Sequence, residues 1–281
     1  MYSLIIGLSP SKGARSPLLW NRAFKKYNID CLMTPLDIST AEDLKENLQR
    51  LIKDNFFMGG SVTFPYKELV AEILFDNLKN EATQKINAVN SLYRNDLGDL
   101  CAANTDGMAA LKCIEKKFFN NSKQPNRILV LGAGGVGKAI ISFLHDQLIE
   151  KNNIELLISA RNKDNTFLSK FNNCNYVEWE KRNAVINSST LIINCTSMGD
   201  YENIELIPIN ISEIKEEKYP FGIYDVIYNP LKTKLIHFFE EKNILCENGL
   251  EMNLLQAAIA FKLTTKVSDS VENICMSMSK D

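Results

Sequence analysis

The sequence predicts an α/β fold in two domains, on three observations. Short apolar runs alternate with amphipathic stretches through both halves of the 281-residue chain, the order expected of strands and helices that follow one another. A polar stretch of the kind that joins domains, "NNSKQPN" at 120–126, interrupts the alternation. Directly beyond it, the apolar run Ile128 to Leu131 enters the glycine-rich turn "GAGGVG".

In the first half, "SLIIGL" reads as a strand and "SPLLWNRAFKKY" as a helix capped by Ser16 with Pro17 at its first position. "CLMTPL" is a second strand. "TAEDLKENLQRLI" is a helix in which Thr40 and Asp43 form a capping pair and Leu44, Leu48, Leu51 and Ile52 face inward. Phe57 to Val62 is a third strand, softened by Gly59 and Gly60. Pro65 suits the first position of the next helix, with Val70, Ile73 and Leu74 as its apolar members. "AVNSLYR" and "LCAA" pair across the polar turn "NDLGD", which makes this sheet mixed though mainly parallel.

In the second half "RILVLG", "IELLISARN", "TLIINCTSMG" and "GIYDVIYNP" supply strands with βα connections, and "KTKLIHFFEEK", "GLEMNLLQAAIAFKLTT" and "SVENICMSM" read as helices. The boundaries drawn from this pattern are 1–104 for the first domain, 105–239 for a linking helix and the second domain, and 240–281 for helices that rejoin the first.

Charge is nearly balanced, 32 basic against 34 acidic residues with no basic stripe, so neither a nucleic-acid groove nor an anionic membrane surface has support. No run approaches the roughly 18 apolar residues of a membrane span, and the opening "MYSLIIGLSPSK" is too short and too poor in basic residues for a secretory leader. Seven cysteines lie scattered without paired spacing, as small hydrophobes of a reducing cytoplasm do. His145 and His237 are the only histidines, and no metal site is expected. The composition thus predicts a cytoplasmic protein with neither a nucleic-acid nor a membrane partner.

Gly132, Gly134 and Gly137 complete a G-x-G-x-x-G between a strand and a small-residue helix containing Ala139. In a dinucleotide site the first glycine allows the tight turn, the second lets a pyrophosphate approach the backbone, and the third lets helix and strand pack closely. The same glycines also serve purely structural turns. About 20 residues on, where an acid would hold an adenosine ribose diol, the chain reads Ile158, Ser159, Ala160, Arg161, Asn162, Lys163. An arginine fork suits a 2′-phosphate, so NADP is favoured over NAD. An exposed pair of charges at a helix start is the other reading of Arg161 and Lys163.

Lys67 falls in a first helical turn, where the helix dipole disfavours a cation. In "AANTDGMAALKCIEKKFF" Thr105 resembles a helix cap and Asp106 lies in the first turn, with Leu111, Ile114 and Phe118 on the buried stripe. Each residue alone is ordinary; only their juxtaposition points to chemistry.

These segments together resemble the shikimate dehydrogenases over almost the whole chain. The family's Gly-x-Pro-Ile-x-His-Ser-x-Ser-Pro is present imperfectly from Gly7 to Pro17, with Asn21 and Phe24 following. "SVTFPYK", "NAVNS", the intact Asn104 to Gly107, the Gly-Ala-Gly-Gly turn, "IINCTSMG", "DVIYNP" and "MNLLQAAIAF" come in the family's order. The resemblance implies an N-terminal α/β substrate domain, a Rossmann domain for NADP, and reversible NADPH-dependent reduction of 3-dehydroshikimate to shikimate at a cleft between them.

Residue by residue, the resemblance implies that Lys67 exchanges a proton with the reacting oxygen beside Asp106. Ser16, Thr63, Asn90, Tyr228 and Gln256 match its substrate-binding positions. Gly132, Ala133, Gly134, Gly135, Val136, Gly137, Ala160, Arg161, Lys163, Thr196, Ser197, Met198 and Gly249 match its cofactor-binding positions.

Departures gather in the substrate half. Gly13 and Ala14 stand for the family's histidine and first serine, Ser61 for an asparagine, Ser91 for a threonine and Ala109 for a glycine, while Asn162 and Asn165 replace a threonine and a further cation. Arg15 lies between the two positions and has two readings, a charge-assisted contact to the substrate carboxylate that replaces the lost hydroxyl, or an exposed arginine. A quinate/shikimate dehydrogenase or a paralogue acting on a related cyclic polyol acid is therefore a second expectation, and a non-catalytic NADP-binding protein a third.

Overall fold

The computed structural model describes residues 1–77, 81–119, 125–149, 153–215 and 218–279; most of the polar stretch at 120–126 lies outside them. The chain divides into two compact units, Met1–Ala109 with Leu254–Asp281, and Ala110–Asn253. Both divisions fall inside helices, Asp106–Ile114 and Leu250–Thr265.

The first unit is built on a five-stranded sheet of order β2-β1-β3-β4-β5, with β1 Tyr2–Gly7, β2 Met33–Asp37, β3 Phe57–Val62, β4 Ser91–Arg94 and β5 Leu100–Ala103. The first three strands are parallel and the last two antiparallel, the mixed sheet that the sequence predicts. Successive side chains of β1 point to opposite faces. Ile6 joins Leu44, Leu48 and Leu51 of helix Ala41–Lys53 in one core, and Ile5 joins Leu19, Trp20 and Phe24 of helix Ser16–Lys26 in the other. That second core also takes Ala257, Ala258 and Phe261 from helix Leu250–Thr265, with Phe261 edge-on to Trp20 at 5.3 Å. The returning C-terminal segment is thus a core element of the first sheet.

Several local expectations are corrected. Ile52 is exposed, because it lies about 100° round the helix from Leu51. Ser16 is the first helical residue with Arg15 before it, and no side chain caps that helix. The helix after Pro65 begins only at Lys67, since Tyr66 N–H bonds to the Thr63 carbonyl and closes a turn that uses Pro65. A short helix, Glu81–Ile86, was absent from the sequence reading.

The second unit carries a six-stranded, wholly parallel sheet of order β11-β10-β9-β6-β7-β8: β6 Arg127–Leu131, β7 Glu155–Ala160, β8 Cys174–Glu178, β9 Leu191–Asn194, β10 Gly222–Asp225 and β11 Leu245–Glu247. From β8 inward this is the doubly wound order in which strand succession reverses between β6 and β9, and ligands bind such sheets beyond the strand C-termini at that reversal. No helix among the described residues is long and apolar enough to cross a membrane.

Candidate active site

Lys67 and Asp106 meet. Lys67 opens helix Lys67–Ile73 and is fixed by its neighbours: buried Tyr66 donates its hydroxyl to the Ile38 carbonyl at 2.9 Å, and the Lys67 carbonyl accepts the Val89 N–H at 2.9 Å. Asp106 opens helix Asp106–Ile114 just past the end of β5, where the helix N-terminus favours its anion. Lys67 Nζ stands 2.5 Å from Asp106 Oδ2, with side-chain exposures of 19% and 8%. A pair so withdrawn from water, at the ends of two strands, is unlike the solvated ion pairs of a protein surface.

Asn90 is the hub around this pair. Its Nδ2 lies 2.8 Å from Asp106 Oδ1, 2.9 Å from Thr105 Oγ1 and 3.1 Å from Gln256 Oε1, and its Oδ1 accepts the Thr105 N–H at 2.7 Å. Thr105 in turn donates its hydroxyl toward the Gln256 carbonyl at 3.1 Å. Four of the predicted residues, Lys67, Asp106, Asn90 and Gln256, therefore share one hydrogen-bonded group, assembled from three strand ends and helix Leu250–Thr265. Thr63 follows β3 directly and packs so close to Gly7 that a Cβ on that glycine would come within 2.4 Å of its methyl. Ser16 and Arg15, both half-buried, stand at the start of helix Ser16–Lys26.

The remaining predicted residues belong to the second unit. Gly132 has a φ of +94°, which only glycine adopts readily, and its N–H bonds to the Ser159 carbonyl. A Cβ on Gly137 would lie 2.1 Å from the Gly132 carbonyl oxygen, whereas one on exposed Gly134 would meet nothing. Ala133, Gly135 and Val136 complete this turn and open helix Gly135–Leu144. Ala160 ends β7, followed by exposed Arg161 and by Lys163, whose ammonium lies 5.3 Å over the Tyr176 ring. Tyr228 is half-buried beyond β10. Gly249 is packed against the chain, where a Cβ would fall 1.9 Å from the Val226 carbonyl oxygen.

Thr196, Ser197 and Met198 form a loop shaped by Asn194, whose Oδ1 accepts both the N–H and the hydroxyl of Thr196. Asn194 Nδ2 donates to Asp225 at 3.0 Å, and Asp225 also accepts the Thr233 hydroxyl at 2.7 Å. Burial pushes the Asp225 carboxyl up to about 6, against the pull of these donors.

Residues 5–92 match the family model described as the shikimate dehydrogenase substrate binding domain. A shikimate dehydrogenase (NADP(+)) of Pyrococcus furiosus is 33% identical over 276 residues, covering 95% of this chain and 91% of its own. The chain belongs to the shikimate dehydrogenase family. The crystal structure of shikimate dehydrogenase from Aquifex aeolicus superposes with a TM-score of 0.80 at 26% identity, covering 100% of this chain and 98% of that one. A quinate dehydrogenase from Corynebacterium glutamicum in complex with NAD superposes with a TM-score of 0.82 at 21% identity, covering 99% and 98%, a likeness of fold alone.

Two residues of these networks were placed elsewhere or overlooked by sequence reasoning. Thr105 reads as a helix cap, yet its hydroxyl serves Asn90 and Gln256, and it is Asn104 Oδ1 that accepts the Gly107 N–H. Asp225 gave no signal beyond its place in "DVIYNP", and only the fold shows that it ties the Thr196–Met198 loop to Thr233.

Proposed function

We propose that this chain is a shikimate dehydrogenase, an oxidoreductase that reversibly reduces 3-dehydroshikimate to shikimate with NADPH. The observation that carries the proposal is the Lys67–Asp106 pair locked to Asn90 and Gln256 in a chain of this family.

NADP, when bound, supplies and accepts the hydride. The second unit suits it: the Gly132–Gly137 turn is crowded where side chains would disrupt packing and open at Gly134, where a pyrophosphate would need to approach the backbone. Gly132 to Gly137 would hold the pyrophosphate, Ala160, Arg161 and Lys163 the 2′-phosphoadenosine, and Thr196, Ser197, Met198 and Gly249 the nicotinamide half. In the first unit Ser16, Thr63, Asn90 and Gln256, with Arg15, would bind the ring hydroxyls and carboxylate. A polyol acid requires many small polar partners, each of which penalises an analogue lacking its hydroxyl.

In reduction the Lys67 ammonium gives its proton to the oxygen as the carbonyl becomes a hydroxyl. Asp106 holds that ammonium in place, and Asn90 holds Asp106. In oxidation neutral Lys67 takes the proton back. The free thiols fit a reducing cytoplasm, and we take the enzyme to act there as a monomer or homodimer.

The test is steady-state oxidation of shikimate and of quinate with NADP and with NAD, alongside direct titration of both cofactors. Shikimate with NADP is expected to give the highest kcat/KM. A preference for quinate would favour the reading prompted by Ala14, a paralogue acting on another cyclic polyol acid. Bound NADP with turnover of neither acid would contradict the proposal.

A further inference from the structure

An ion pair in the second unit has no part in the mechanism above. Lys138, in the first turn of helix Gly135–Leu144, places its ammonium 3.1 Å from the carboxylate of Asp164. The two residues stand on neighbouring β–α connections: Lys138 follows the glycine turn after β6, Asp164 follows Ala160 after β7, and Leu131 of β6 is in register with Ser159 of β7. The bridge therefore crosses the C-terminal edge of the sheet, between the glycine turn and the corner where folds of this order recognise an adenosine ribose. It is held from both sides. The Lys138 side chain is 16% exposed and its ammonium lies 5.7 Å from the centre of the Phe167 ring, while Asp164 also caps helix Asn165–Leu168 by accepting the Phe167 N–H at 2.9 Å. That N–H first, and Lys138 after it, keep the Asp164 carboxyl below its ordinary range.

Asp164 is the first acid after β7, with Arg161, Asn162 and Lys163 between. A carboxylate at such a corner accepts hydrogen bonds from a 2′,3′-diol and repels a 2′-phosphate. We propose that Lys138 is a specificity-determining residue: by neutralising Asp164 it leaves the corner to the positive charge of Arg161 and Lys163, which selects a 2′-phosphorylated adenosine over an unphosphorylated one. The proposal rests on the NADP reading of the second unit and adds a residue that acts on specificity through another side chain.

The test uses fragments that cannot turn over, 2′,5′-ADP and 5′-AMP, titrated calorimetrically into the full-length protein at low salt. Wild type is expected to prefer 2′,5′-ADP. Lys138→Met should reduce that preference about tenfold, the effect of one uncompensated charge near a protein surface. Lys138→Met with Asp164→Asn should restore it, because asparagine still caps the helix and no charge is left unpaired. An unchanged preference in Lys138→Met overturns the proposal, as does a double variant no better than the single one, which would mean direct contact of Lys138 with the phosphate. If Lys138→Met melts below the assay temperature, Lys138→Arg and the double variant decide: both keep the preference under the proposal, and its loss in the double variant overturns it. Equal wild-type affinity for the two fragments overturns the NADP reading itself, and this inference with it.

Discussion

Asn90 and Thr105 show how one side chain governs another at the site. Both oxygens of Asp106 are engaged, one by Lys67 and one by Asn90, and Asn90 is itself held by the backbone and hydroxyl of Thr105. Thr105→Val keeps the shape and removes the hydroxyl. It leaves buried polar partners unsatisfied, so stability should fall by about 1–3 kcal/mol. Turnover should fall about tenfold while NADP affinity is unchanged, since a small misplacement of a reacting group is costly to rate. Thr105→Ser should recover most of the rate. Urea unfolding and steady-state kinetics check these outcomes, and wild-type turnover in Thr105→Val would show that the hydroxyl does not position the pair. The pairing of Lys67 with Asp106 was legible in the sequence only through the order of the surrounding segments, because each residue alone fits a first helical turn. The second role of Thr105 was hidden for a physical reason: it stands directly before a helix, its carbonyl accepting the Ala109 N–H, and threonine there is the residue type that caps.

Among the elements, the glycine turn and helix Leu250–Thr265 carry the sharpest consequences. Gly137→Ala would set a Cβ against the backbone oxygen of Gly132 at 2.1 Å, and backbone cannot yield as a flexible side chain does. We expect it to destabilise the second unit and abolish NADP binding, measured by melting and by cofactor titration; retained affinity would show that the turn is loose. In the first unit Phe261 is fully buried against Trp20 and Phe24. Phe261→Ala should cost about 3–5 kcal/mol in urea unfolding, the usual penalty for a large core cavity, and a loss below 1 kcal/mol would mean that the helix is not a core element. The central strands were legible because they are continuously apolar. β8 and β11 were not: both are edge strands, β8 reads Cys174, Asn175, Tyr176, Val177, Glu178, and β11 has three residues. A strand with a neighbour on one side only need not carry the apolar run on which sequence patterns depend.

For the molecule as a whole, Asp225 gives a pH dependence of stability with a definite sign. Its carboxyl is raised from 3.8 to about 6 by burial, so the folded state binds the proton more tightly than the unfolded chain. The corresponding stabilisation is present below pH 3.8 and is lost as pH rises through about 6. Its size is about 3 kcal/mol. Wild-type stability should carry this falling contribution between those limits and Asp225→Asn should lack it, so chemical unfolding of the two across that range should diverge; parallel curves would contradict the shift. The division of the chain was not legible within helices Asp106–Ile114 and Leu250–Thr265, whose periodicity runs on unbroken where one unit gives way to the other. In the proposed mechanism Lys67 moves the proton in an NADP-dependent oxidation of shikimate. The most direct measurement is the rate of NADPH formation at saturating shikimate and NADP by wild type and Lys67→Ala, with the fold and cofactor affinity of both verified. The expected loss is roughly 100- to 10,000-fold, the contribution of a general acid or base, with NADP affinity largely retained; a variant that keeps more than about half the wild-type rate, outside anything that contribution allows, would return Lys67 to an ordinary first-turn lysine.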